Sequence, residues 1–172
     1  MKFSNPLKTT LLSACLGFVV LGLTSTSAVA QTNPATTTFN VTANVAKDCI
    51  VSATALGFGS YTGAVNNAQS TITVTCTNTT PYTVALGPGN GTGASAANPR
   101  FMQNGSALLS YGLYSNSNAT TNWGNTTGTG GNVVSGTGTG AAQPLTVYGQ
   151  IAAAQYVTPG SYTDTIAVSV AY

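Results

Sequence analysis

The sequence has no histidine, two acidic residues (Asp48 and Asp164, with no glutamate) and charged residues make up only 3% of it. A soluble protein ordinarily carries about 25%. These absences exclude most chemistries at once. A serine-based triad has no imidazole base, and a zinc site has no imidazole and, if the cysteines are paired, no thiolate. The only carboxylate pair is Asp48 with Asp164, and both stand beside predicted strand ends, where Asp commonly caps turns. Lys47 and Arg100 would neutralise at most two phosphates, too few for a nucleic-acid surface. The sequence therefore predicts no catalysis, no metal, no cofactor and no nucleic-acid partner. A structural or recognition role is what remains.

Long apolar runs are also scarce, and the one present lies at the start. "MKFSNPLK" supplies two lysines, "TTLLSACLGFVVLGL" is apolar, and "TSTSAVA" ends in a small-residue A-x-A site before Gln31. That order reads as a secretory leader over residues 1–30, too short and wrongly flanked for a permanent membrane anchor. "LSAC" at residues 12–15 also fits a lipoprotein cleavage box that would leave Cys15 acylated. Against this, the apolar run continues past Cys15 and too little of it comes before. Removing 30 of the 172 residues leaves 142, one domain by length. The formal charge of +2 departs with Lys2 and Lys8, because Lys47 and Arg100 balance Asp48 and Asp164. Cys49 and Cys76 remain, and an even pair in an exported chain reads as a disulfide. A surface of Thr, Ser, Asn, Gln and Gly with no net charge has little colloidal repulsion. It suits a protein that assembles outside the cell.

A helical period is absent after the leader, whereas period two recurs between Gly, Asn, Pro and Ser clusters. It predicts core strands at "CIVSA" (49–53), "STITVTC" (70–76), "YTVAL" (82–86), "ALLSYGLYS" (107–115), "PLTVYGQIA" (144–152) and "SYTDTIAVSVAY" (161–172). In the last of these Ile166, Val168, Val170 and Tyr172 share one face. Six short strands with turn signals between them indicate an antiparallel sandwich. The glycine-rich stretches 87–99 and 124–143 lack the lysine and following helix of a phosphate loop, so they read as connections. Tyr111, Tyr114 and Trp123 are read as packing or turn residues, with an adhesive aromatic patch as the alternative.

A further alternating stretch opens the exported chain. Phe39, Val41, Ala43 and Val45 lie on one face against Asn40, Thr42 and Asn44. An immunoglobulin-like sandwich has a seventh strand, G, beside strand F. Here strand F is expected at the closing residues, with nothing left to supply G. The opening strand has the right alternation, yet only Ala46, Lys47 and Asp48 separate it from Cys49. A crossover to a parallel position needs a dozen or more residues. The pairing is easier to make in another molecule.

From Phe39 to Tyr172 the chain resembles the spore coat protein U family, the subunits of archaic chaperone–usher pili. The resemblance rests on "FNVTANV…C", "LGFGSYTG" (56–63), "STITVTC", "PYTV", "LSYGLYS", "NWG" (122–124), "GTGTGAAQPLTVYG" and "GSYTDTIAVSVAY". It implies export through the periplasm to the cell surface or an extracellular fibre, capture by a periplasmic chaperone that lends a strand, and exchange at an outer-membrane usher for the next subunit's opening strand. Strand addition of this kind is a general recognition mode. By position, Phe39, Val41, Ala43 and Val45 correspond to the donor strand, with Ala43 filling a shallow pocket. Cys49 and Cys76 correspond to the family disulfide. Ile166, Val168, Val170 and Tyr172 are expected to border the groove for chaperone or donor.

The expected fold is thus all-β: an incomplete immunoglobulin-like β-sandwich of six core strands lacking the G strand, plus an N-terminal donor strand. The segments are a leader over 1–30, a donor segment over 31–48 and the receiving domain over 49–172. The expected role is a pilus subunit for surface adhesion or biofilm, polymerising with neighbouring copies. A coat protein assembled by the same logic and a self-contained carbohydrate-binding sandwich are the alternatives.

Overall fold

Residues 33–172 are described by the computed structural model. The leader and Cys15 fall outside them. The chain divides into one unit ending at Thr42 and a second from Ala43 to Tyr172. Residues 33–42 of the first unit have no regular secondary structure, and Phe39 and Val41 are 85% and 83% exposed.

The second unit contains eight strands: β1 (Cys49–Ala53), β2 (Asn66–Cys76), β3 (Pro81–Leu86), β4 (Arg100–Asn104), β5 (Ala107–Tyr114), β6 (Val134–Thr137), β7 (Gln143–Ile151) and β8 (Val168–Ala171). All pairings are antiparallel. One sheet has the order β1-β2-β7-β5-β4 and the other β6-β3-β8. Alternation sets what each strand buries, since successive side chains point to opposite faces. Ile72 and Val74 of β2, Val84 and Leu86 of β3, Leu109 and Leu113 of β5, and Val147 and Ile151 of β7 meet in one core.

The all-β expectation holds, and the count of six core strands is corrected to eight. Of the two added strands, one lies in a stretch read as a connection and the other directly follows such a stretch. β6 occupies part of the glycine-rich 124–143 segment, where a Cβ on Gly136 would stand 2.5 Å from the Tyr82 ring. That glycine is needed for close approach, so composition disguised a strand. β4 is short and begins with a buried arginine, which removed its hydrophobic signal. β2 also starts four residues early, at Asn66. The closing segment is regular only over Val168–Ala171, while Thr163 makes an isolated bridge to Gln103 of β4.

Cys49 and Cys76 face each other in the β1–β2 register and form a disulfide, with Cα atoms 4.1 Å apart. The bond staples an edge strand whose other residues are exposed. Mass spectrometry without reductant should recover Cys49 linked to Cys76. Reduction should lower unfolding stability by about 2–4 kcal/mol, and two alkylatable thiols in the native protein would contradict the assignment.

Candidate functional site

β8 stands at the end of the three-stranded sheet. β3 lies on one side, and among the described residues no strand lies on the other. The Ala167 carbonyl accepts from the Gly87 N–H at 2.9 Å, and Ser169 and Ala171 continue that ladder opposite Ala85 and Thr83. Alternate residues of an antiparallel strand turn their backbone groups to opposite edges. Val168 and Val170 therefore aim theirs at the open edge. Unpaired groups of this kind are a template for another strand. Their side chains meanwhile pack on the core.

Beside this edge lies an apolar cavity of about 400 Å³. Residues 53–56 form one wall, residues 162–166 with Val168 the other, and Ile72, Leu86, Leu113 and Val147 lie beneath. A second cavity of about 740 Å³ shares Leu56, Phe58, Met102 and Tyr162 with the first and runs on to the loop at residues 57–63. Together they make a trough. Two of the shared lining residues pack closely on β7 at Gly149, where a Cβ would stand 2.8 Å from Phe58 and 2.9 Å from Leu56.

One charged side chain lines the trough. Asp164 Oδ2 accepts from the Tyr111 hydroxyl at 2.6 Å, and Oδ1 accepts from the Asn90 and Thr165 N–H groups, both at 2.7 Å. Gly89, at φ 88°, makes room for the carboxylate, since a Cβ there would collide with it. Burial first, and then the bond to Asp164, holds the Tyr111 phenol well above its ordinary value of 10.0. A phenol raised on folding contributes stability that is complete below the unfolded value and is lost as pH climbs above it. Stability should therefore fall above about pH 10 more steeply in the native protein than in Tyr111→Phe, as followed by denaturant midpoints between pH 8 and 11. Identical slopes would show that the phenol is not held neutral.

The structure brings Ile166 and Val168 to the trough wall. Val170 packs on the core outside the cavity lining, and Tyr172 is 54% exposed, its hydroxyl 3.5 Å from Asp48 Oδ1. Val45 is 83% exposed and Ala43 is exposed. Of the aromatic residues weighed as an adhesive patch, Trp123 and Tyr111 are buried, and the Trp123 indole donates to the Val84 carbonyl at 2.9 Å. Sequence reasoning missed Leu56, Phe58, Met102 and Tyr162. The signal was available for Asp164 and Tyr162, which lie two and four residues upstream of Ile166 and continue its phase. It was weak for Leu56 and Phe58, alternating with glycines in "LGFG". Among the described residues no three His, Cys, Asp or Glu side chains cluster as metal ligands.

Known proteins resemble this chain in sequence and in fold. The model of the Spore Coat Protein U domain matches residues 35–169. Protein U of Myxococcus xanthus is 32% identical over 160 residues, covering 83% of this chain and 88% of the relative. A chain in the crystal structure of the CsuC–CsuE chaperone–tip adhesion subunit pre-assembly complex, from the archaic chaperone–usher Csu pili of Acinetobacter baumannii, superposes with a TM-score of 0.56 at 26% identity. That match covers 74% of this chain and 40% of the solved one.

Proposed function

The chain belongs to the Spore Coat Protein U domain family, and from that premise we propose that it is a structural subunit of a surface fibre, built by exchange of strands between copies. The domain is read as an immunoglobulin-like sandwich, with β1, β2, β7 and β5 as strands A, B, E and D and β3 and β8 as C and F. The place of G, beside β8, is then the open edge. Residues 1–30 act as the leader, 31–48 as the donor segment and 49–172 as the receiving domain. A periplasmic chaperone first fills the trough and an outer-membrane usher directs its replacement by Phe39, Val41, Ala43 and Val45 of the next copy. The pre-assembly complex of the Csu system supports the chaperone step. The observation that carries the reading is the unpaired edge of β8 over an apolar trough, in a chain that also exposes an alternating apolar segment.

Head-to-tail donation does not close on itself, so it yields a filament. A pilus and a spore or cell-surface coat share this assembly. The family relation to Protein U keeps the coat as the second reading, and a self-contained carbohydrate-binding domain receives no support from the trough. Val41→Asp tests the assignment. The variant loses about 1.5–3 kcal/mol of apolar burial and drives a carboxylate into an apolar site. It should be exported and chaperone-bound but give few or no filaments by electron microscopy. Filaments of normal length and yield would remove Val41 from the donor face.

A further inference from the structure

After the leader, the sequence holds four charged residues: Lys47, Asp48, Arg100 and Asp164. Two already have local work. Arg100 is fully buried, and Asp48 belongs to its own domain, where its N–H donates to Thr77 Oγ1 at 3.3 Å and its carbonyl accepts from the Thr77 N–H at 2.9 Å. Lys47 is exposed, immediately before that anchor. It is also in phase with Phe39, Val41, Ala43 and Val45, so a strand that turns those four into a groove turns Lys47 the same way. Asp164 lines the trough. Its three partners are neutral donors, two on Oδ1 and one on Oδ2. A carboxylate offers about four acceptor positions, which leaves Oδ2 able to take another donor.

Resting on the strand-exchange reading, we propose that Lys47 of one copy pairs with Asp164 of the next and so fixes the donor in a single register. A strand in the G position runs antiparallel to β8, and opposed residues share a face. With Lys47 opposite Asp164, Val45 falls opposite Ile166, Ala43 opposite Val168, Val41 opposite Val170 and Phe39 opposite Tyr172. All four apolar donor residues meet apolar partners, and the cation meets the carboxylate. A slip by two residues one way sets Val45 against Asp164 and Lys47 against Tyr162. A slip the other way sets Lys47 against Ile166 and pushes Phe39 past Tyr172. A slip by one turns every apolar donor side chain out of the groove. Charge complementarity also fixes where the donor ends: Lys47 lies in the neighbour, and Asp48 is tied to its own β2–β3 turn.

The test uses full-length chain exported and assembled into filaments. Dissociation of native filaments should quicken about three- to tenfold when salt is raised from low millimolar to about 500 mM, as the pair is screened. Lys47→Gln filaments should dissociate at the faster rate in low salt and lose the salt response. Because Asp164 also holds Tyr111, Asp164→Asn is made alone and together with Lys47→Gln. A loss in the double variant smaller than the sum of the two single losses supports the pair, whereas strictly additive losses overturn it. A benzophenone side chain at position 45 should capture Ile166 of the next copy, and in Lys47→Glu the capture should move off Ile166. Salt-insensitive native filaments, with capture still inside the trough, would overturn the ion pair and leave strand exchange standing. Capture outside the trough, or no head-to-tail species from the native chain, would overturn both.

Discussion

Deleting residues 31–46 should leave a subunit that binds its chaperone and never polymerises. The reason is quantitative. Phe39, Val41 and Val45 each bring about 1.5–3 kcal/mol on burial, roughly 5–9 kcal/mol together with a small Ala43 contribution. An entire domain is stable by about 5–15 kcal/mol. At about 1.4 kcal/mol per tenfold change, the donor is worth some four to six orders of magnitude in the gross association constant, before the cost of ordering the strand. Supplying a peptide of residues 35–47 to the deleted subunit as the chaperone is removed should give a monomer whose unfolding midpoint rises by many degrees. The polymer should not return, because the peptide carries no domain. A self-contained sandwich behaves differently: the truncated chain loses its fold, and the peptide changes nothing. Normal filaments from the deleted chain would remove the donor segment from the mechanism.

The parts of this machine that can be read in the sequence are those whose physics is local. Period two in "STITVTC" and "IAVSVAY" depends only on which neighbours face inward, and it places Ile72, Val74, Ile166 and Val168 correctly. A strand built by close approach escapes such reading where glycine dominates it. Gly136 sits inside β6 because the Tyr82 ring occupies the space a Cβ would take, and composition reports it as a turn. Gly149 is crowded likewise by Leu56 and Phe58, yet the alternation of "PLTVYGQIA" still marks its strand. The trough is harder still. Its far wall is the stretch at residues 53–58, joined to β8 only through the topology of two sheets. The phase shared by Tyr162, Asp164 and Ile166 was written in the chain, but what Asp164 does required its distance to Tyr111. Arg100 was legible only as a spare cation. In the fold it is among the largest fully buried side chains.

Arg100→Ala should be the most damaging single substitution outside the donor interaction. The guanidinium has no exposed surface and no carboxylate in hydrogen-bond contact. Instead Nε donates to the Gly87 carbonyl at 2.9 Å and Nη1 to Asn98 Oδ1 at 2.9 Å, while Nη2 donates to the Leu86 and Trp123 carbonyls at 3.1 and 2.9 Å. Burial lowers the Arg100 pKa from its ordinary value, and the nearby Tyr111 and Asp164 oppose that shift. Such a charge persists because each of its three nitrogens is met by fixed dipoles. Removing it leaves three main-chain carbonyls short of a donor and opens a void where β3 ends and β4 begins. Losing one partner of a buried charged network costs about 3–5 kcal/mol, enough to consume much of a subunit that already lacks its donor. Arg100→Lys should recover only part, since an ammonium on a flexible stem cannot span the same acceptors. Arg100→Met should fall near Ala, because it restores volume but supplies no donor. Denaturant unfolding of the chaperone-free, donor-filled protein ranks the three. If Met matched the native protein, the arginine would be space-filling and the carbonyls satisfied some other way. Equal loss in Lys and Ala would place the whole effect in the geometry of the fork.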